Sequence, residues 1–385
     1  MRILHVIHRL DREAGGTTSL TLSLCAALAA RGHDISLFSL DRGMSGNGLG
    51  TTAFETRLFH ADLPGFSPSL TKALRTEIPR SDMVHIHMLY RPPQALAAHF
   101  ARRAKVPYCM QTHGALDPVV FHKRERRFAK RLYETMVEWR NLRRATGLIF
   151  TTAGERDAAA ALHLQVPAYI VPAGLDVDQY NRAADTEGFR KHHDLEGKDL
   201  ILWMGRISKV KALPKLVEAF ALIAARYPNT ALVIAGPDQD NERASLEKIL
   251  GDAGLENRVT FTGMVDGNEK LAVLKAAQLF VLPSYTENFG ISAMEAMAVG
   301  CPVIVSDNVK IAPEIVAKGA GLSVPVEPEK LAAAMAALLD EPVWRATMGL
   351  AGASLAQRFD WPIVVEQMEQ AYQAMINCHR AVPSA

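Results

Sequence analysis

Glu287 and Glu295 stand eight residues apart in PSYTENFGISAMEAMAVGCPVIVSD, residues 283–307. A short apolar strand, Leu279 to Leu282, runs into a polar turn that holds Glu287. Phe289-Gly290 then lead into a helix that carries Glu295, and a second strand, Val303 to Val305, follows. Strand, turn and helix bring a carboxylate to the place where backbone N–H groups are left over. A helix N-terminus has unpaired donors and a partial positive charge, so it holds anions. Glu295, about two turns into the helix, reaches a neutral hydroxylated group such as a ribose. The combination suits a sugar attached to a phosphate. Spacing alone is weak evidence, because two surface glutamates fall this way by chance. The setting is stronger: Glu295 lies among Ala293, Met294, Ala296, Met297 and Ala298, and a glutamate in such a buried helix face needs a partner.

Other residues add cations and flexible backbone. Gly205-Arg206 ends an expected strand and Lys211 follows five residues later. Two cations facing the Glu287 loop would clamp a diphosphate and stabilise its departure. Gly15-Gly16 precede a helix beginning at Thr17, where glycine lets the backbone approach a ligand. No G-x-G-x-x-G is present, which counts against a nicotinamide enzyme. His113 ends a strand in THGALDP and is placed to donate to a sugar hydroxyl or a carbonyl-like oxygen. His85 and His87 share one strand, one expected toward the core and the other toward a cleft edge. Asp238-Gln239-Asp240 and Asp176-Val177-Asp178 read as turn acids rather than metal ligands, so no protein-bound metal is expected.

The elements that position these residues alternate. Strands are expected at Ile3 to Ile7, Ile35 to Ser39, Glu55 to Phe59, Val84 to His87, Tyr108 to Gln111, Leu148 to Phe150 and Ala168 to Val171. Helical patterns such as Thr17 to Ala30 and Pro93 to Arg103 lie between them. A polar stretch, Asp176 to Asp199, interrupts the alternation. A second series follows at Leu200 to Met204, Ala231 to Ala235, Val259 to Phe261, Leu279 to Leu282 and Val303 to Val305. Strand–helix alternation predicts parallel sheets with crossover helices. The expected fold class is α/β, two doubly wound Rossmann-like domains facing across a cleft, with ligands beyond the carboxyl ends of the strands.

The 385 residues suffice for two domains. With 49% hydrophobic and 22% charged residues the composition is globular, and a net charge of +2 does not suit a nucleic-acid binder. Cys25, Cys109, Cys301 and Cys378 are scattered, which suits reduced, cytoplasmic thiols. MRILHVIHRL does not read as a signal peptide. Gly43 to Gly50 is a glycine-rich loop without a motif. His122 to Arg144, HKRERRFAKRLYETMVEWRNLRR, interleaves aromatic residues with cations. It reads either as a peripheral contact with an anionic membrane or as a solvated helix packed on its sheet.

Taken in order, these segments resemble a retaining glycosyltransferase of family 4 with the GT-B fold, of the kind found in bacterial polysaccharide and lipopolysaccharide synthesis. The likeness rests on the E-x7-E region at 283–307, on GRISKVKAL with Ala212 where many members have glycine, and on GLDVDQY, THGALDP and Gly15-Gly16. It implies an N-terminal, acceptor-side domain over 1–176, completed by a C-terminal helix at 362–380, and a donor-side domain over 177–361. It implies that Arg206 and Lys211 bind the donor diphosphate. Glu287 with the backbone of Asn288, Phe289, Gly290 and Ile291 would hold the sugar and phosphate, and Glu295 the ribose. His113 and Glu287 would act on the transferred sugar, and Gly15-Gly16 would approach the donor. The implied co-substrate is a nucleoside-diphosphate sugar, UDP- or GDP-linked, with no cofactor. The implied acceptor is a glycan or lipid-linked glycan. A sugar-nucleotide epimerase and a non-catalytic partner subunit of the same architecture are the alternatives.

Overall fold

The computed structural model describes residues 1–10, 16–41, 53–63, 65–117 and 133–381. The chain divides into two compact units. One is Met1–Gly174 together with Trp361–Ala385, and the other is Leu175–Asp360.

The first unit contains seven strands: β1 (Arg2–Arg9), β2 (Asp34–Asp41), β3 (Glu55–His60), β4 (Met83–His87), β5 (Tyr108–Gln111), β6 (Gly147–Phe150) and β7 (Ala168–Ile170). They form one parallel sheet in the order β3-β2-β1-β4-β5-β6-β7. Residues 3–7 of β1 are buried on both sides, as a parallel sheet covered by helices on both faces requires. Alternate residues separate the two cores. Leu4 and Val6 join Leu70 and Leu74 of the helix Pro68–Glu77 and Ala97 and Ala98 of the helix Pro92–Ala104. Ile3 and Ile7 join Leu24 and Leu28 of the helix Gly16–Ala30. The same face takes Val364, Met368, Tyr372 and Met375 of the 21-residue helix Trp361–Ala381. The resemblance implies that this last helix completes the first domain, and it packs on the sheet of the first unit.

The second unit contains β8 (Asp199–Met204), β9 (Thr230–Ala235), β10 (Val259–Gly263), β11 (Ala277–Leu282), β12 (Val303–Ser306) and β13 (Gly321–Val324). They also pair in parallel, in the order β10-β9-β8-β11-β12-β13. Sequence reading expects the first five of these and misses β13, a four-residue edge strand whose last three residues are half-buried. The stripe Leu213, Leu216, Val217, Phe220 and Ile223 is buried along the helix Leu213–Ala224, against Ile201 and Trp203 of β8.

Each sheet has a point where the strand order reverses, between β1 and β4 in the first and between β8 and β11 in the second. Crossovers leave such a point in opposite directions. The loops beyond it therefore diverge and open a crevice at the strands' carboxyl ends.

Candidate active site

In the second unit the site residues converge on that reversal point. The loop after β8 begins with Gly205-Arg206 and closes with the single turn Lys209–Lys211. The loop after β11 carries Glu287. Lys211 Nζ donates to Glu287 Oε2, so this ion pair spans the two loops. Both side chains are about one-fifth exposed, at 21% and 20%. The loops are joined again by Tyr285 N donating to Val210 O at 2.9 Å. The third side of the frame is the loop after β12, where Lys310 N donates to Glu287 O at 3.0 Å.

Backbone geometry holds these loops in place. Gly290 has φ +75, and a Cβ there would lie 3.1 Å from Leu282 Cδ2. Glycine lets the chain turn left-handed and start the helix Ile291–Ala298 directly over the Glu287 loop. Phe289 is buried edge-on against Phe359, with ring centroids 5.3 Å apart, so its side chain anchors the turn. Gly236 after β9 has φ +145, and a Cβ there would meet the Gly205 carbonyl oxygen at 1.7 Å. The strand end that carries Arg206 is thus packed backbone on backbone. Arg206 Nη1 donates to Gln239 Oε1 at 2.6 Å. Ala212, where the resemblance implies glycine, occupies the left-handed region at φ +53 and ψ +33 while fully buried. A left-handed alanine costs about 1–2 kcal/mol, a strain that glycine would avoid.

Glu295 has the partners that its apolar helix demands. Its Oε1 accepts from Tyr180 Oη and from Lys270 Nζ, each at 2.9 Å. Lys270 Nζ also lies 5.9 Å from the centre of the Tyr180 ring. Both donors use one carboxylate oxygen, and among the described residues Oε2 has no hydrogen bond. Burial and the adjacent Glu295 charge push the Tyr180 hydroxyl far up, so it acts as a donor. Asp238 behaves as a turn acid: Oδ1 accepts from Glu242 N at 3.0 Å and Oδ2 from Arg243 N at 3.2 Å.

In the first unit His113 follows β5 at φ +48, an uncommon conformation for a non-glycine residue. A buried carboxylate holds it there. Glu155 Oε1 accepts from Thr112 Oγ1 at 2.8 Å and from Gly114 N at 2.7 Å, on either side of His113. Glu155 Oε2 accepts from Thr151 N at 2.7 Å and Thr151 Oγ1 at 3.0 Å. Burial lowers the His113 pKa to about 4, against the pull of the Glu155 charge, so the ring is neutral at pH 7.

One expectation is overturned. His85 and His87 do not face opposite ways. Both are fully buried on the same sheet face, stacked with ring centroids 4.1 Å apart. Residues i and i+2 of a strand point to one side. His5 lies beside them, paired in register with His85 across β1 and β4. Gly16 begins the helix Gly16–Ala30, whereas Gly15, the loop 43–50 and the basic residues 122–132 lie outside the described residues. Within the rest of that basic segment Asn141 and Leu142 are buried, and Arg143 lies 5.9 Å from the centre of the Trp139 ring. Sequence reading missed Tyr180, Lys270 and Glu155. Glu155 did carry a signal: Thr152-x-x-Glu155 is a capping-box pattern, and Glu155 N donates to Thr152 Oγ1 at 3.0 Å.

Two family models match in tandem. Residues 15–174 match the glycosyl transferase 4-like domain and residues 185–354 match glycosyl transferases group 1. The chain belongs to glycosyltransferase family 4. This glycosyltransferase is 27% identical to the D-inositol 3-phosphate glycosyltransferase of Pseudarthrobacter chlorophenolicus, over 95% of this chain and 92% of that protein. It is also 27% identical to the GDP-mannose:cellobiosyl-diphosphopolyprenol alpha-mannosyltransferase of Xanthomonas oryzae pv. oryzae, over 99% of this chain and 98% of that protein. Among solved structures it is similar to sucrose-phosphate synthase from Thermosynechococcus elongatus, with a TM-score of 0.77 and 25% identity, covering 98% of this chain and 100% of that one. The family-4 enzyme accordingly has the GT-B fold class, two Rossmann-like parallel-sheet domains.

Proposed function

We propose that this glycosyltransferase moves a hexose from a nucleoside-diphosphate sugar to a glycan or lipid-linked glycan acceptor, with retention of anomeric configuration. The observation that carries the reading is the Lys211–Glu287 ion pair across the reversal point of the second sheet, beside the first turn of the helix Ile291–Ala298. An anion arriving there meets Lys211, Arg206 and the unpaired N–H groups of that turn. Glu287 and the backbone of Asn288 to Ile291 hold the hexose and its phosphate. Glu295, with Oε1 committed to Tyr180 and Lys270, offers Oε2 to the ribose. His113 hydrogen-bonds the transferred sugar, and Gly15-Gly16 approach the donor. As the glycosidic bond breaks, negative charge grows on the departing diphosphate, and fixed cations stabilise it without a metal ion. The relative named for GDP-mannose and a diphosphopolyprenol acceptor supports a GDP- or UDP-linked donor and a lipid-linked acceptor. A role in surface or exported polysaccharide synthesis, on the cytoplasmic side and peripheral to the membrane, follows from that acceptor. Among the described residues no helix is long and apolar enough to cross a membrane.

The test is transfer. Purified protein is incubated with GDP-mannose or UDP-glucose and a polyprenyl-diphosphate-linked disaccharide, with and without EDTA, and the product's anomeric configuration is read by proton NMR. One donor is expected to yield a product of the donor's own configuration, at a rate that EDTA leaves within twofold. An inverted product, or epimerised sugar nucleotide without transfer, sinks the reading.

A further inference from the structure

Beneath the helices Gly16–Ala30 and Trp361–Ala381 lie three fully buried imidazoles, His5, His85 and His87, with one nitrogen from each ring within 4.8 Å of the others. His87 is stacked on His85, centroids 4.1 Å apart and 14° from parallel, whereas His5 lies edge to edge with His87, centroids 5.2 Å apart and 20° from parallel. Imidazole lone pairs lie in the ring plane, so the stacked rings of His85 and His87 do not aim theirs at one point. The nitrogens instead form a hydrogen-bonded line. His5 Nδ1 meets His87 Nε2 at 2.9 Å, and His87 Nδ1 meets His113 Nε2 at 3.3 Å.

The direction of that line is set by Thr21. Its hydroxyl donates to Thr17 O at 2.8 Å, which uses its one proton. Toward His87 Nδ1, 3.5 Å away, Thr21 Oγ1 therefore presents only lone pairs. His87 then carries its proton on Nδ1. Burial keeps each of these rings neutral, with His5 lowered to about 3 and His87 lowered well below its ordinary value. A neutral ring has one N–H, so His87 Nε2 is bare and accepts from His5 Nδ1–H. His5 Nε2 is left as a buried lone pair without a partner, a cheaper orphan than a buried N–H. At the other end His87 Nδ1–H donates to His113 Nε2.

We propose that Thr21, His5 and His87 are positioning residues that fix His113 as the Nδ1–H tautomer, making it a hydrogen-bond donor to the transferred sugar rather than a base. The part concerning the sugar rests on the proposed function, and the tautomer does not. His113 Nδ1 has no hydrogen bond among the described residues, so its proton is available to a sugar oxygen.

The test is a two-bond nitrogen–proton correlation spectrum of the full chain labelled with nitrogen-15 histidine at pH 7.5, recorded without sugar nucleotide and assigned with His87→Gln and His113→Asn. His87 and His113 are each expected to show a protonated Nδ1 and a bare Nε2. In His87→Phe, His113 should become a mixture of tautomers and kcat should fall about tenfold with KM within twofold. His87→Gln, whose amide N–H replaces the donor, should restore both readouts. A wild-type His113 protonated at Nε2, or a His113 tautomer unmoved in His87→Phe, overturns the proposal. An intact tautomer pattern in a protein that transfers no sugar would count against the function and leave the tautomer assignment standing.

Discussion

Lys211→Ala is expected to lower kcat by about a hundred- to a thousandfold, about 3–4 kcal/mol of transition-state stabilisation. The pair Lys211–Glu287 spans the loops after β8 and β11. A donor diphosphate carries more charge once the sugar has left than before, so a fixed cation beside it binds the transition state more strongly than the ground state. Only such differential binding raises kcat. KM should rise by a smaller factor. The fold should tolerate the change: Glu287 is 20% exposed, so water can reach a carboxylate that has lost its partner. Steady-state kinetics with a saturating acceptor, beside a melting curve, separates the two effects. A variant within threefold of the wild-type kcat would remove Lys211 from the chemistry.

The second large effect is acid sensitivity. Burial lowers His5 to about 3 and His113 to about 4. His85 and His87 are also lowered well below their ordinary value, first by burial and then by the charges of neighbouring histidines. All four belong to the first unit. The sign follows from the folded values lying below the unfolded one, near 6.5. As pH falls through that value the unfolded chain binds protons that the folded chain refuses, so stability falls with pH. Each histidine contributes up to about 1.4 kcal/mol per pH unit, and the four together up to about 5.6 kcal/mol per pH unit. Against a typical total of about 5–15 kcal/mol, the first unit should unfold well above pH 4. Calorimetry of the full chain at pH 7.5, 6.5, 5.5 and 5.0 should show a Tm that is flat at the top of this range and drops steeply below 6. His85→Phe, which removes one of the four titrating groups, should make the drop shallower by about a quarter. An unchanged Tm down to pH 5 would contradict the buried neutral cluster.

The parts of this molecule legible in the sequence are those set by local period. The β–α alternation, the helix stripe at Leu213 to Ile223 and the strand–turn–helix around Glu287 are short-range patterns, and each stands where it was expected. Glu295 announced only that it needed a partner. Tyr180 and Lys270 come from helices 115 and 25 residues away in sequence, and nothing local selects them. The stripe Val364, Val365, Met368, Ala371, Tyr372 and Met375 marks a helix face but names no sheet, and only the resemblance assigns the helix to the first domain. His5, Thr21, His87 and His113 are separated by whole elements and meet only because β1 and β4 are neighbours in the sheet. For His85 and His87 the two-residue strand period by itself dictates one side of the sheet.

On the proposed function, the strand ends of the second unit hold a nucleoside diphosphate. The most direct measurement is a thermal-shift panel with UDP, GDP, ADP, dTDP and CDP on wild type, Lys211→Ala and Glu295→Ala. A ligand bound only by the native state at a hundred times its Kd adds about 2.7 kcal/mol. One nucleotide should raise the wild-type Tm clearly, with a smaller rise in both variants: Lys211→Ala loses a cation at the diphosphate and Glu295→Ala loses the ribose contact. No shift with any nucleotide, or a shift that survives unchanged in both variants, would contradict the account.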